Sequence, residues 1–323
     1  MKVVAVANTK GGVAKTTTCL SLAGSLAEQG NLVLLMDLDP QAHLTSSLGV
    51  RPGDLRRTVS DVLLNQDSLA SISLETQVFG LDLAPANDEL VIIDKMLYRH
   101  PGYEYRLKTD IENARRWLYD VLIIDCPPTF GTVTINALTA ADLLIIPLQC
   151  EHYAVQSLIR MLEMVRLTRR KTNPSLRYRL LVTMFDMRNK VHPMILQYLR
   201  DHFPEAIFQT IIQVDTKLRE SPAHAKPITA YAPKTRAAQQ YRALAEELVA
   251  CLGPQRATRR GSASTTDPSE QLFDTSAPDR ERAAVTQERA SVSPAAEEAS
   301  EEKKRSARGI KPMSKFLVGG NGR

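Results

Sequence analysis

The first 29 residues constrain the fold more than any other stretch. An apolar run, KVVAVAN (2–8), passes through a Gly-containing turn, TKGGVAK (9–15), straight into a segment of helical character that reaches residue 29. An apolar run without polar alternation is a strand buried on both faces, and such strands belong to parallel sheets covered by helices. Four later runs repeat the pattern: LVLLMDLD (32–39), DVLIID (120–125), DLLIIPL (142–148) and RYRLLVTMF (177–185). Helical spacing recurs over 153–171, 191–202 and 234–251. The alternation predicts an α/β fold: a doubly wound, mostly parallel sheet with helices on both faces. Ligands of such sheets bind at the carboxyl ends of the strands, where residues 9–16 fall.

Composition narrows the partners. Of the 323 residues, 43% are hydrophobic and 24% charged, as in ordinary globular proteins. The formal net charge is +5, but residues 254–323 hold 13 Lys and Arg against 10 Asp and Glu. The remainder is close to neutral, so contact with nucleic acid or an acidic surface must come from local patches. Cys19, Cys126, Cys150 and Cys251 form no C-x-x-C pair, which argues against a zinc site. With no signal-like segment, they point to a reducing cytosol. No apolar run approaches the roughly 18 to 20 residues of a membrane span. Met1 leads directly into the first strand, so no N-terminal accessory domain is expected. At Gly253-Pro254 the composition shifts to Ala, Ser, Thr, Pro, Glu and Arg. The expectation is one domain over 1–252, a disordered tail over 253–308, and a short interaction motif over 309–323. That last segment regains Ile310, Met313, Phe316, Leu317 and Val318.

The turn after the first run has the chemistry of a phosphate loop, with two departures. The pattern G-x-x-x-x-G-K-[ST] puts glycine where this chain has Thr9 and Ala14, and Lys10 is a surplus lysine. Gly11 and Gly12 allow close backbone approach, Lys15 can neutralise phosphate oxygens, and Thr16 can offer a hydroxyl to Mg²⁺. If Ala14 requires positive φ, its Cβ costs on the order of 1 kcal/mol; the expectation is a loop that adapts to avoid it. A Gly-rich turn without a ligand is the alternative. Two acidic strand ends weigh against that alternative. MDLDPQ carries Asp37 and Asp39, and DVLIID ends in Asp125 in the manner of a Walker B acid. One such end would read as a helix cap. Two beside a phosphate loop imply Mg-nucleotide chemistry.

KGGVAKTTT, DLDPQAHLTSSLG, DCPPTFG, QCEHYAVQSL and PKTRAAQQY together resemble the ParA family of partitioning ATPases. This is the deviant Walker A class of P-loop NTPases, and the resemblance is Soj-like and covers about residues 1–252. It implies ATP and Mg²⁺ as ligands, a weak intrinsic ATP hydrolase, and a homodimer formed on ATP. In that class the extra lysine, here Lys10, reaches the nucleotide of the partner subunit. Residues Lys10, Gly11, Gly12, Val13, Ala14, Lys15, Thr16 and Thr17 would surround the phosphates. Asp39 would position the attacking water and, with Thr16 and Asp125, serve the metal, while Asp37 lies close by as a further cofactor contact that would support the metal. Met184, Asp186 and Gln213 would lie around the base. Cys126 reads as a packing residue.

The same resemblance implies non-specific DNA binding by the dimer, through Arg188, Lys217, Arg219, Lys226, Lys234 and Arg236. It further implies a cytoplasmic, nucleoid-associated protein and a ParB-like or other cargo adaptor that stimulates hydrolysis. There is one departure: relatives carry a run like IPRNVRLSEAPS, whereas this chain has IIQVDTKLRESPA. Gln213 stands for a Pro and Val214 for an Arg, which alters the base pocket and part of the DNA patch. A MinD-like membrane-associated ATPase is the first alternative. Pro312 and Gly319-Gly320 leave barely two helical turns in the tail, too short for firm interfacial binding, and DCPPTFG differs from the D-S-P-A-G form expected there. A metabolic P-loop enzyme is the second, disfavoured because no cysteine pair or substrate motif is present.

Overall fold

The structure, a computed structural model, describes residues 1–113, 119–151 and 154–253. The expectations for 254–308 and 309–323, and for His152 and Tyr153 of the QCEHYA motif, lie outside these residues.

Among the described residues, seven strands form one sheet: β1 (Lys2–Val6), β2 (Val33–Asp37), β3 (Leu74–Glu75), β4 (Leu81–Ala84), β5 (Val121–Asp125), β6 (Leu143–Leu148) and β7 (Arg177–Val182). Their order is β3-β4-β2-β5-β1-β6-β7. Every pairing is parallel except that of the two-residue edge strand β3 with β4. The five predicted runs are β1, β2, β5, β6 and β7. Of these, β1, β2 and β7 stop short of their runs because the chain turns there into a loop. The short β3 and β4 carry no signal long enough to read.

Helices fill the crossovers. α1 (Lys15–Glu28) follows β1, and α2 (His43–Ser46), α3 (Val59–Leu63) and α4 (Leu69–Ile72) follow β2. α5 (Leu90–Leu97) and α6 (Arg106–Asn113) come after β4, α7 (Thr132–Ala140) after β5, and α8 (Ala154–Lys171) after β6. The chain beyond β7 forms α9 (Val191–His202), α10 (Lys217–Glu220), α11 (Ile228–Tyr231) and α12 (Arg236–Leu252). No helix among the described residues is long and apolar enough to cross a membrane.

The strands explain their own apolar runs. Successive side chains point to opposite faces, and both faces are covered. Val3, Ala5, Leu34, Met36, Leu122 and Ile124 pack in one core with residues of α3 to α9. Val4, Val6, Val33, Leu35, Val121 and Ile123 pack in the other with α1, α11 and α12. α1 is accordingly buried along nearly its whole length.

Two close approaches fix helices against their neighbours. Asp94 of α5 accepts hydrogen bonds from the Thr132 hydroxyl (2.7 Å) and the Val133 N–H (2.9 Å), so one helix caps the start of another. A Cβ on Gly131 would collide with that carboxylate. A Cβ on Gly24 of α1 would likewise collide with the Pro227 ring just before α11. Gly24→Ala is expected to lower stability by about 1–3 kcal/mol through overpacking, read as a lower urea midpoint with unchanged m-value.

Candidate functional site

The order β2-β5-β1 brings three strand ends side by side, and the site grows from them. After β1 the chain is pinned by Asn8, whose side-chain N–H donates to Pro147 O (2.7 Å) while its Oδ1 accepts from the Lys10 N–H (3.0 Å). The next carbonyls are drawn toward β6 and β7. Gly12 O accepts from Gln149 Nε2 (3.0 Å), and Val13 O accepts from Thr183 Oγ1 (3.1 Å). With carbonyls held on the sheet side, the loop leads into the N-terminus of α1. This terminus has no side-chain cap and no acidic residue in its first turn. The first N–H groups of a helix have no intrahelical partner and carry its positive end. Here they open into a cleft of about 620 Å³ lined in part by Gly11, Gly12, Ala14, Lys15, Thr16 and Thr17.

Ala14 does not avoid positive φ. It sits at φ 65°, ψ 35°, in the left-handed region, as the residue preceding α1. The expected adaptation of the loop therefore does not occur: the Gly12 and Val13 carbonyls are tied to Gln149 and Thr183, and the turn between them and the helix needs this conformation. Met184, after β7, is also left-handed at φ 52°. Both strained residues line the cleft and an adjoining cavity of about 310 Å³.

The acidic residues divide by position. Asp37 and Asp125 are opposite one another in the β2–β5 ladder and both are buried. Asp37 accepts from the Asp39 N–H (3.1 Å), the Thr45 N–H (2.8 Å) and the Thr45 hydroxyl (2.8 Å). Its carboxylate is thus committed to the loop carrying Asp39, and it does not line the cleft. Asp125 Oδ2 accepts from Thr16 Oγ1 (2.6 Å), while its Oδ1 is buried without a hydrogen-bond partner. Burial, and then the charge of Asp37, push the Asp125 carboxyl well above the usual range against the pull of Thr16 and Lys15. A buried acceptor with an open lone pair beside a hydroxyl and a lysine has the donor chemistry of a divalent-cation site. Uncapped N–H groups with Lys15 fit an anion next to it. Asp39 faces the cleft itself.

Lys10 lies outside this lining. Its ammonium pairs with the Glu151 carboxylate and lies 3.4 Å from Gln149 Oε1. Cys126 is fully buried, and burial pushes its thiol up, as suits a packing residue. Met184 and Gln213 line the second cavity. Asp186 does not: it holds Arg188 through a two-pronged ion pair, with Nη2–Oδ2 at 2.7 Å. Of the other cations, Lys217 pairs with Glu220 (2.7 Å) and Arg236 donates to Val214 O (2.9 Å). Lys226 and Lys234 are exposed, whereas Arg219 belongs to the wall of the second cavity. Gln149, Glu151, Thr183 and Tyr241 have no role assigned from sequence. The first two lie within or beside QCEHYA, and the fully buried Tyr241 ends PKTRAAQQY.

A family model described as an AAA domain matches residues 1–178. The sporulation initiation inhibitor protein Soj of Bacillus subtilis is 40% identical over 250 residues, covering 77% of this chain and 98% of that protein. The chromosome partitioning protein ParA of Myxococcus xanthus is 35% identical over 260 residues, covering 80% and 92%. Among solved structures, the cobyrinic acid a,c-diamide synthase of Mycobacterium smegmatis with bound ATP analog and magnesium superposes with a TM-score of 0.68. It is 37% identical and covers 77% of this chain and 94% of its own.

Because left-handed alanine is disfavoured by roughly 1–2 kcal/mol, Ala14→Gly is expected to stabilise the ligand-free chain by about 1 kcal/mol. Urea denaturation at fixed pH reads this directly; an unchanged midpoint would mean that the turn carries no strain.

Proposed function

The chain belongs to the ParA family of partitioning ATPases, within the ParA/MinD superfamily, and from that premise we propose a dimerising ATPase that partitions or positions a cargo. The observation that carries this reading is the uncapped α1 N-terminus with the Thr16–Asp125 hydrogen bond at 2.6 Å, beside a lysine held outside the cradle. The ligands are ATP and Mg²⁺. When bound, the metal supplies positive charge at the phosphate oxygens and orients the triphosphate. The N–H groups of residues 11–17 and the Lys15 ammonium hold the phosphates. Thr16 and Asp125, which now share a hydrogen bond, would be the residues that hold the metal. Asp39 orients the attacking water from the cleft wall, with Asp37 fixing the loop behind it. Turnover by the chain alone is weak, because water positioning awaits a ParB-like or other adaptor protein.

Dimerisation follows from Lys10. Two triphosphates facing each other need cations from across the interface, and Lys10 can supply one by leaving Glu151 and Gln149. Exposed Val91, Ile92, Met96 and Phe130 add apolar surface near the cleft, which Val91 itself lines; such surface favours a partner. In the ATP state the dimer binds DNA without sequence preference and is nucleoid-associated in the cytoplasm. Lys217, Lys226, Lys234, Arg236 and Arg188 are exposed cations from each subunit for binding phosphates, and pairing two subunits doubles their number.

Two measurements test this. Lys10→Ala should retain ATP binding but remain monomeric with ATP by light scattering, where the unaltered chain dimerises; a dimeric variant would reject the lysine's role. Lys217→Ala combined with Arg236→Ala should flatten the dependence of DNA affinity on salt, by about 0.9 in log–log slope for each phosphate no longer neutralised. An identical slope would exclude both residues.

A further inference from the structure

The second cavity shares Ala14, Thr17 and Met184 with the phosphate cleft, so a nucleotide seated by its phosphates on α1 directs its base there. The inner walls are apolar, with Ile212, Leu218 and Tyr241 all buried. One cation reaches this cavity from the lining: Arg219 of α10. Its surroundings are already committed. The Gln213 N–H donates to Gln240 Oε1 (3.1 Å), and Asp215 Oδ1 accepts from the Lys217 N–H (2.9 Å). Lys217 itself holds Glu220, and Arg236 holds the Val214 carbonyl. Among the described residues Arg219 is exposed and its side chain makes no hydrogen bond or ion pair. A planar guanidinium at the mouth of an apolar slot is suited to lie on the face of an aromatic ring.

We propose that Arg219 is a nucleotide-affinity residue that stacks on the base, and that it stands apart from the DNA-contacting cations with which its sequence position groups it. The inference rests on the ATP-binding reading above. Its chemistry is that of base recognition: the guanidinium covers one face of the adenine, and the apolar wall that includes Met184 and Leu218 receives the rest of the ring. Lysine cannot replace it, because a compact ammonium offers no flat surface.

Titration calorimetry of the full chain, with a non-hydrolysable ATP analogue and separately with tripolyphosphate, both with Mg²⁺, tests the assignment. Arg219→Ala should weaken the analogue about five- to tenfold and leave tripolyphosphate unchanged. Arg219→Lys should behave like Arg219→Ala, and the salt slope of DNA binding at saturating analogue should stay that of the unaltered chain. Equal affinity of Arg219→Ala for the analogue overturns the proposal. So does a matching loss for tripolyphosphate, full recovery by lysine, or a flattened DNA salt slope. An unaltered chain that binds neither ligand would overturn the ATP reading itself, and this inference with it.

Discussion

Two carboxylates buried opposite one another at the ends of neighbouring strands set the terms for the whole site. Asp37 and Asp125 stand in register on β2 and β5. Like charges so placed in low dielectric cannot both ionise cheaply. The chain answers them differently. Asp37 receives three hydrogen bonds from its own loop, which turns a costly charge into an anchor for the segment that carries Asp39. Asp125 receives the Thr16 hydroxyl on one oxygen, and among the described residues its other oxygen has no hydrogen-bond partner. The asymmetry separates a carboxylate that shapes the backbone from one that is available to a ligand, and both follow from side chains one strand apart.

The loop between β1 and α1 depends on the same sheet edge. Its carbonyls are taken by Gln149 and Thr183 at the ends of β6 and β7, and the left-handed Ala14 completes the turn. Strain of this kind persists when the surroundings over-determine the conformation. Gln149 also reaches Lys10, so the loop carbonyl and the surplus lysine share one carboxamide.

Much of this is legible from residue order. The five long strands announce themselves because both of their faces are buried, which removes the polar alternation a one-sided strand would show. The gathering of Asp39, Asp125, Lys15 and Thr16 about one cleft is readable because all four lie at or after the ends of neighbouring strands. The adaptation expected at Ala14 fails because the constraint comes from Gln149 and Thr183, which are remote in sequence. The anchoring of Asp37 is hidden because Thr45 turns back to hold it, and nothing in the sequence signals that turn. The surroundings of Asp186 and Arg219 are equally hidden in the sequence. Whether an exposed charged residue meets its neighbour or a cavity depends on side-chain direction, which neither a loop nor a four-residue helix encodes in any period.

The bond between Asp94 and the start of α7 has a consequence beyond stability. β5 ends at Asp125, and a short loop later Gly131 presses against the Asp94 carboxylate with no room for a side chain. The DCPPTFG segment is therefore seated directly against α5, whose exposed side carries Val91, Ile92 and Met96. The strand end that bears a buried carboxylate and the apolar exterior of a neighbouring helix are thus joined through the contact between Gly131 and Asp94.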